Sequence, residues 1–201
     1  VFVVVGHANA RAREVNLAAC DAGGIPVLRR CSGGGTVVQM PGILNYALIL
    51  RIPAEGPFAT LAGTNRVVME RMRRCVQGLQ PLGGLPVSVQ GITDLCVGDR
   101  KVMGNAQRRR RMALLFHGSF LLSADLSTFE RLLQPPSREP DYRKGRTHKE
   151  FCVNLGIPAA ALRAALVAEW NGRRDLIEGL DARVRRLMDS RYARAEWHGK
   201  F

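Results

Sequence analysis

The chain opens on an apolar, largely β-branched run, Phe2 to Val5, which predicts a strand already in progress at the first residues. Asn9 to Cys20 reads as a helix, and after the Gly23-Gly24 turn, Ile25 to Arg30 reads as a second strand. A glycine cluster leads to Thr36 to Gln39 and to the apolar run Ile43 to Ile52, which Pro53 and Gly56-Pro57 close before a helix over Phe58 to Gln77. Pro81 to Pro86 reads as a loop. Strand-like runs at Leu85 to Gln90, Thr93 to Val97, Lys101 to Gln107 and Arg111 to Leu122 then predict an antiparallel meander. From Leu126 the pattern turns helical. Pro135, Pro136 and Pro140 bracket a loop, and helices are expected over Thr147 to Leu155, Pro158 to Asn171 and Asp175 to Met188, with Pro158 in a first turn. The predicted class is α+β: a mixed, largely antiparallel sheet with helices packed on it.

With 201 residues, 46% of them hydrophobic, the chain can bury a core and suits a single domain over 1–201. Because a core strand is under way at Val1, we expect part of the domain's N-terminal sequence to lie upstream. No apolar run approaches the ~18–20 residues of a membrane-crossing helix, and the N-terminal stretch lacks the basic flank and cleavage site of a signal peptide. The five cysteines, at 20, 31, 75, 96 and 152, are scattered without the spacing of a zinc site or a disulfide framework, which favours a reducing cytoplasm. The formal charge of +13 favours an acidic partner, whether nucleic acid, nucleotide or acidic protein.

The most informative stretch is Arg29-Arg30-Cys31-Ser32-Gly33-Gly34-Gly35-Thr36, a strand end running into three glycines and another strand. Glycines let the backbone approach a ligand closely and aim several amides at one anion. Arg30 and Ser32 add a charge and a hydroxyl, which suits a phosphate or an acyl-adenylate. The loop is neither a Walker loop nor a dinucleotide fingerprint, since no Gly-Lys-Ser/Thr ends it and no G-x-G-x-x-G opens a helix. Downstream, a turn at Gly98-Asp99 delivers Lys101 to a strand of small residues, where an ammonium group could stabilise charge developing on a carbonyl or phosphoryl oxygen. Arg108 to Arg111 form a basic run that could clamp triphosphate, attract an acidic carrier or face water. His117-Gly118 then falls at the end of an apolar strand. Taken alone, each feature has a plainer reading: a hairpin turn for the glycines, a solvated lysine, and a core imidazole.

Taken in order, Arg29-Arg30-x-Ser32-Gly33-Gly34-Gly35-Thr36-Val37, Leu44-Asn45-Tyr46, Asp94-Leu95, Arg100-Lys101-Val102-x-Gly104-x-Ala106-Gln107 and His117-Gly118-Ser119 resemble the lipoate-protein ligase A family. Gly6 to Asn16 with its Glu14-Val15-Asn16, Tyr142 to Phe151, and Tyr192 to Trp197 also look like segments of these ligases. The resemblance implies the fold shared with biotin ligases. It implies adenylate binding by Arg30, Ser32, Gly33, Gly34, Gly35, Thr36 and Val37, a pocket lined by Asn45, Asp94, Gly104, Ala106, His117 and Ser119, and contact of Lys101 with the activated acyl carbonyl. The implied reaction uses ATP and Mg²⁺ to convert lipoate or octanoate to acyl-AMP. The acyl group then passes to a lysine of an acidic lipoyl carrier domain, in a 2-oxoacid dehydrogenase E2 or the glycine cleavage H protein.

Many bacterial members of that family carry a C-terminal accessory domain, which is expected to be absent here, so a separate accessory protein becomes a candidate partner. Related octanoyltransferases use a cysteine upstream of the lysine block, yet Leu85 to Thr93 holds none, and Cys96 reads as a buried strand cysteine. An ATP-independent acyltransferase is the rival enzyme. A biotin ligase would show a different, Gly-Arg-Gly-Arg phosphate loop. A basic nucleic-acid-binding module is the more distant alternative, and aromatics at 6% of the chain, not interleaved with the basic run, speak against it.

Overall fold

A computed structural model of the chain describes residues 1–172 and 179–201. The expected strands form, but they divide between two sheets. In the smaller, β1 (Phe2–Val5) lies between β2 (Val27–Arg29), parallel to it, and β3 (Val37–Gln39), antiparallel to it. In the larger, β4 (Ile43–Arg51), β5 (Val87–Gln90), β6 (Asp94–Val97), β7 (Arg100–Arg109) and β8 (Ala113–Leu121) pair antiparallel in the order β4-β8-β7-β6-β5. The chain changes sheets at Gly42, whose φ of +88° suits glycine and whose carbonyl accepts the N–H groups of Leu122 and Ser123.

Strand alternation gives the larger sheet two different faces. Leu48 and Leu50 of β4, Met103 of β7, and Leu114, Phe116 and Phe120 of β8 join one core with the helix Leu61–Gly78, which contributes Val68, Met69, Met72 and Val76. Thr60 caps that helix by accepting the Gly63 N–H at 3.0 Å. The helix Ala159–Glu169 packs against it. A second core gathers Val3, Val5 and Val38 of the smaller sheet with Cys20, Phe129, Leu132 and Phe151 from short helices. The opposite face of the larger sheet, carrying Asn45, Ala47, Gly104, Ala106, His117 and Ser119, turns toward the smaller sheet and borders a cavity.

Two helices differ from expectation. Asn9 to Cys20 is not continuous: helices Arg11–Glu14 and Leu17–Ala22 are separated where Val15 leaves the helical path to bridge Leu133, and Asn16 caps the second by accepting the Ala19 N–H. A tertiary backbone pairing overrides local helix preference there. The helix after Thr147 ends at Phe151, because Cys152 and Val153 run beside β7, with the Val153 N–H donating to the Lys101 carbonyl at 2.9 Å. The helix expected over 175–188 is described only from Leu180 to Leu187, its first residues lying outside the described ones. The proposed loop after Pro81 takes a short helical turn with left-handed Leu82 and Gly83.

Residues 197–201 pack against β2. Arg29, 2% exposed, donates from its guanidinium to the carbonyls of Gly6, His7 and Asn9 at 2.8–3.1 Å and approaches those of His198 and Phe201. Its backbone N–H donates to His198 Nδ1, and its carbonyl accepts the Trp197 indole N–H.

Leu95 is fully buried whereas Ile49 is 80% exposed. Leu95→Ala is therefore expected to cost about 2–5 kcal/mol and Ile49→Ala no more than about 0.5 kcal/mol, measured as the difference in denaturant midpoint at constant m-value.

Candidate active site

A cavity of about 620 Å³ lies between β1, the glycine loop and β3 on one side and β4, β7 and β8 on the other. A smaller one of about 240 Å³ continues from it beneath the 129–152 segment. Gly35, Thr36, Val37, Lys101, Gly104 and Ser119 line both, so these residues mark the junction of two lobes.

Lys101 reaches that junction because of a β-bulge. Leu95 pairs with Met103 while Cys96 pairs with Lys101, which leaves Val102 as an extra residue on β7. Val102 and Met103 are consequently both buried, and Lys101 shares a face with Gly104 instead of opposing it. A Cβ on Gly104 would lie 3.0 Å from Lys101 Cε and 3.1 Å from Nζ, so this glycine lets the lysine lie along its own strand. Lys101 Nζ pairs with Asp94 Oδ1 at 2.7 Å, and the Tyr142 hydroxyl donates to Asp94 Oδ2 at 2.8 Å. Burial, followed by the Asp94 charge, raises the Tyr142 phenol well above its ordinary value, so it stays a donor.

At the far end of the larger lobe the glycine loop folds around Arg30. The guanidinium donates to the Gly33 and Gly35 carbonyls at 2.6 and 2.7 Å, to the Val4 carbonyl, and through Nε to Ser32 Oγ at 3.1 Å. Burial lowers it to about 10, where it is still charged at neutral pH. Arg30 thus organises the loop, and most of its donors are engaged within the protein. Ser32 Oγ lies 2.6 Å from His117 Nε2. The hydroxyl accepts from Arg30 and keeps both its hydrogen and a second lone pair, so either ring tautomer of His117 satisfies this bond. Burial first and the Arg30 charge second hold this imidazole below its usual titration range.

Arg30, Ser32, Gly35, Thr36, Val37 and Asn45, with Lys101, Gly104, Ala106, His117 and Ser119, line the larger lobe. Gly33, Gly34 and Asp94 do not line either lobe. Gly33 offers its carbonyl to Arg30, and Gly34, at φ +85°, packs so closely on Gly6 that a Cβ on Gly6 would lie 2.0 Å from the Gly34 carbonyl oxygen. Asp94 acts on the site through Lys101. Thr36 Oγ1 is buried at the junction without a hydrogen-bond partner among the described residues. Gln39, Asn45 and Ser119 form a closed set of side-chain hydrogen bonds at one rim. Tyr46 donates to Asn105 Oδ1 under Gly118, where a Cβ would lie 2.2 Å from that oxygen.

Gln39, Tyr46, Asn105 and Tyr142 escaped the sequence-based selection, although alternation from Val37 leads directly to Gln39. The basic run splits by the same alternation. Arg108 faces the site and donates to the Cys31 carbonyl, whereas Arg109 faces the long helix and donates to the Phe58 and Ala59 carbonyls at 2.9 Å and to Thr64 at 3.0 Å. Arg110 and Arg111 alone are exposed. Cys96 is fully buried, and burial pushes its thiol up to about 11.

Residues 2–156 match the model of the lipoyl protein ligase A/B catalytic domain. The chain belongs to this family. Among curated relatives, lipoate-protein ligase A subunit 1 of Thermoplasma acidophilum is 25% identical over 98% of this chain and 80% of its own length. Lipoate–protein ligase 1 of Staphylococcus aureus is 31% identical over 66% of this chain but only 38% of its own length, and octanoyltransferase LipM of Exiguobacterium sibiricum is 29% identical over 60% and 50%. The chain therefore spans half or less of two of these relatives. A solved lipoate-protein ligase A bound with ATP superposes with a TM-score of 0.84 at 24% identity, covering 100% of this chain and 83% of that one. The bipartite ligase of T. acidophilum, solved with its E2 lipoyl domain, gives 0.83 at 23% identity, covering 99% and 80%. These likenesses establish the catalytic-domain fold of the lipoyl ligase family.

The His117 imidazole should titrate below the ~6.5 of an exposed histidine. Replacing Arg30 with methionine should move that midpoint upward by removing a like charge, read from the pH dependence of the ring NMR shifts; an unmoved midpoint would show that the two groups do not interact.

Proposed function

We propose that this domain performs the reactions of a lipoate-protein ligase: ATP-dependent activation of lipoate or octanoate to acyl-AMP, then transfer to the lysine of a lipoyl carrier domain. The observation that carries this reading is the position of Lys101 at the junction of two lobes of different character. The larger lobe has a floor of small residues, Gly104, Ala106 and Ala47, and apolar walls from Val4, Val37 and Leu115, which suits an acyl chain. The smaller carries Arg138, Arg143 and His148 besides Lys101, which suits a nucleotide polyphosphate.

With the two substrates meeting at the junction, the acyl carboxylate attacks the α-phosphorus of ATP, a new C–O–P linkage forms and pyrophosphate leaves. Lys101 then faces the oxygens on which charge develops, both here and when an amine adds to the acyl carbonyl and AMP departs. Asp94 and Tyr142 hold the ammonium group in place for both steps. In this reading the amides of Gly35 and Thr36, which line both lobes, and the Thr36 hydroxyl, which has no partner among the described residues, bind oxygens of the mixed anhydride. Mg²⁺ belongs with ATP as substrate. Among the described residues no three His, Cys, Asp or Glu side chains converge on a point, which fits a cation held largely by phosphate oxygens.

The rival, an ATP-independent octanoyltransferase, draws on the similarity to LipM. It needs a reactive thiol, and burial raises both Cys96 and Cys152, the cysteines beside Lys101. The carrier is taken to be an acidic lipoyl domain, a separate accessory protein is a candidate partner, and the proposed compartment is the cytoplasm. No helix among the described residues is long and apolar enough to cross a membrane.

Mass spectrometry of an apo lipoyl domain incubated with the protein and octanoate or lipoate should show an acyl mass shift that requires Mg²⁺-ATP, and Lys101→Ala should slow it by about 10²–10³-fold. A shift obtained only from acyl carrier protein donors would establish the transferase instead. Since Arg110 and Arg111 are the solvent-facing half of the basic run, neutralising both should raise KM for the carrier at low salt and matter less at high salt; a KM indifferent to both changes would remove the steering role.

A further inference from the structure

One buried carboxylate has no task in the mechanism above. Glu14 is 6% exposed and lines both the smaller lobe and a separate cleft of about 580 Å³. The cleft is bounded by Ala8, Ala10, Gly34, Gly35 and the 136–138 segment, and Ala8, Gly34, Gly35, Ser137 and Arg138 are exposed along it. Gly35 lines this cleft and both lobes. The cleft thus adjoins the lobes at Glu14 and Gly35, and Lys101 lines both of those lobes.

Glu14 is held in place by the helix break. Val15 bridges Leu133, the Gln134 N–H donates to the Glu14 carbonyl at 3.1 Å, and the Ser137 hydroxyl donates to Glu14 Oε1. Among the described residues no Lys, Arg or His forms an ion pair with its carboxylate. Arg13 and Arg138 border the cleft but neither pairs with this carboxylate, which leaves it open to a further cation. The small walls of the cleft suit a slender alkyl stem. Arg13 and Arg138, which share the cleft, suit acidic residues flanking that stem on a carrier surface.

We propose that this cleft is the entrance for the acceptor lysine and that Glu14 binds its ammonium group and takes its proton. The inference rests on the ligase reading above. Taking an ammonium out of water favours its neutral form, and the adjoining carboxylate is the group placed to accept the proton. The freed amine attacks the acyl carbonyl at the junction: a C–N bond forms, the C–O bond to phosphate breaks, and the nitrogen's second proton leaves with AMP. Glu14 returns its proton to water. The other charged groups facing this region are Arg13 and Arg138 in the cleft and Lys101, Arg143 and His148 in the lobe.

The test compares two acceptors for the acyl-AMP made from octanoate and Mg²⁺-ATP: the apo lipoyl domain, and hydroxylamine, a small nucleophile that needs no base at neutral pH. In Glu14→Gln the ratio of carrier acylation to hydroxamate formation should fall at least tenfold at pH 7 and recover as the pH approaches the ~10.4 of a free lysine. Ala8→Phe, an exposed change that narrows the cleft, should lower the same ratio without the recovery at high pH. An unchanged ratio in both variants overturns the proposal. So does an equal loss with both acceptors accompanied by a raised KM for ATP, which would place Glu14 with the nucleotide. Absence of hydroxamate from the unmodified protein would sink the ligase reading itself, and this proposal with it.

Discussion

The wrapping of the glycine loop around the Arg30 guanidinium is the contact on which the rest of the site depends. Three consecutive glycines carry the largest conformational entropy of any such stretch, and their own amides and carbonyls cannot order them. One guanidinium supplies several donors in a fixed plane and gathers the carbonyls of Val4, Gly33 and Gly35 with the Ser32 hydroxyl. Through Ser32 the same group reaches His117 on β8, so the loop of the small sheet is tied to the face of the large one. Lysine in this place would present a point charge and lose the planar fork.

The opposite wall depends on a different device, the removal of side-chain volume. Gly104 lets Lys101 lie flat, Gly118 lets Asn105 and Tyr46 meet beneath the sheet, and Gly6 lets the loop touch the end of β1. Each of these would place a Cβ within about 3 Å of another atom if replaced by alanine. Combined with the bulge at Val102, they convert an ordinary antiparallel face into a floor with a cation at one end and a neutral imidazole at the other. Catalysis of the proposed kind needs such preorganisation, since a charge already held in place requires no rearrangement as the reaction proceeds.

The strands were readable because each is a short period-two run between glycine, proline and turn residues, and that signal is local. The two-sheet division was not, since it depends on how Gly42 meets Ser123 across the chain. For the same reason the breaks at Val15 and Cys152 were hidden: each residue leaves helix to pair with a strand-like segment distant in sequence. In the site, the glycine loop and Lys101 stand out once the blocks around them are taken in order as a family resemblance, whereas alone each has a plainer reading. Gln39, Asn105 and Tyr142 do not, because an amide or a phenol acquires meaning only from the partner it finds. The basic run was legible as charge but not as structure. Alternation sends Arg108 and Arg109 inward to opposite faces, and only Arg110 and Arg111 remain a surface feature.

Arg29 stands next to the loop-organising Arg30, yet its backbone N–H is satisfied by His198, 169 residues further along the chain. Contacts of such separation raise contact order, and the loop entropy must be overcome before they can form. At synthesis rates of about 5–20 residues per second, roughly ten to thirty seconds separate the emergence of β2 from that of its closing segment. Through that interval the β2 edge is bare and the guanidinium of Arg29 lacks the carbonyls of His198 and Phe201. A nascent chain of this domain thus exposes a bare strand edge beside a glycine-rich loop, a state that invites chaperone binding or strand exchange with a neighbour.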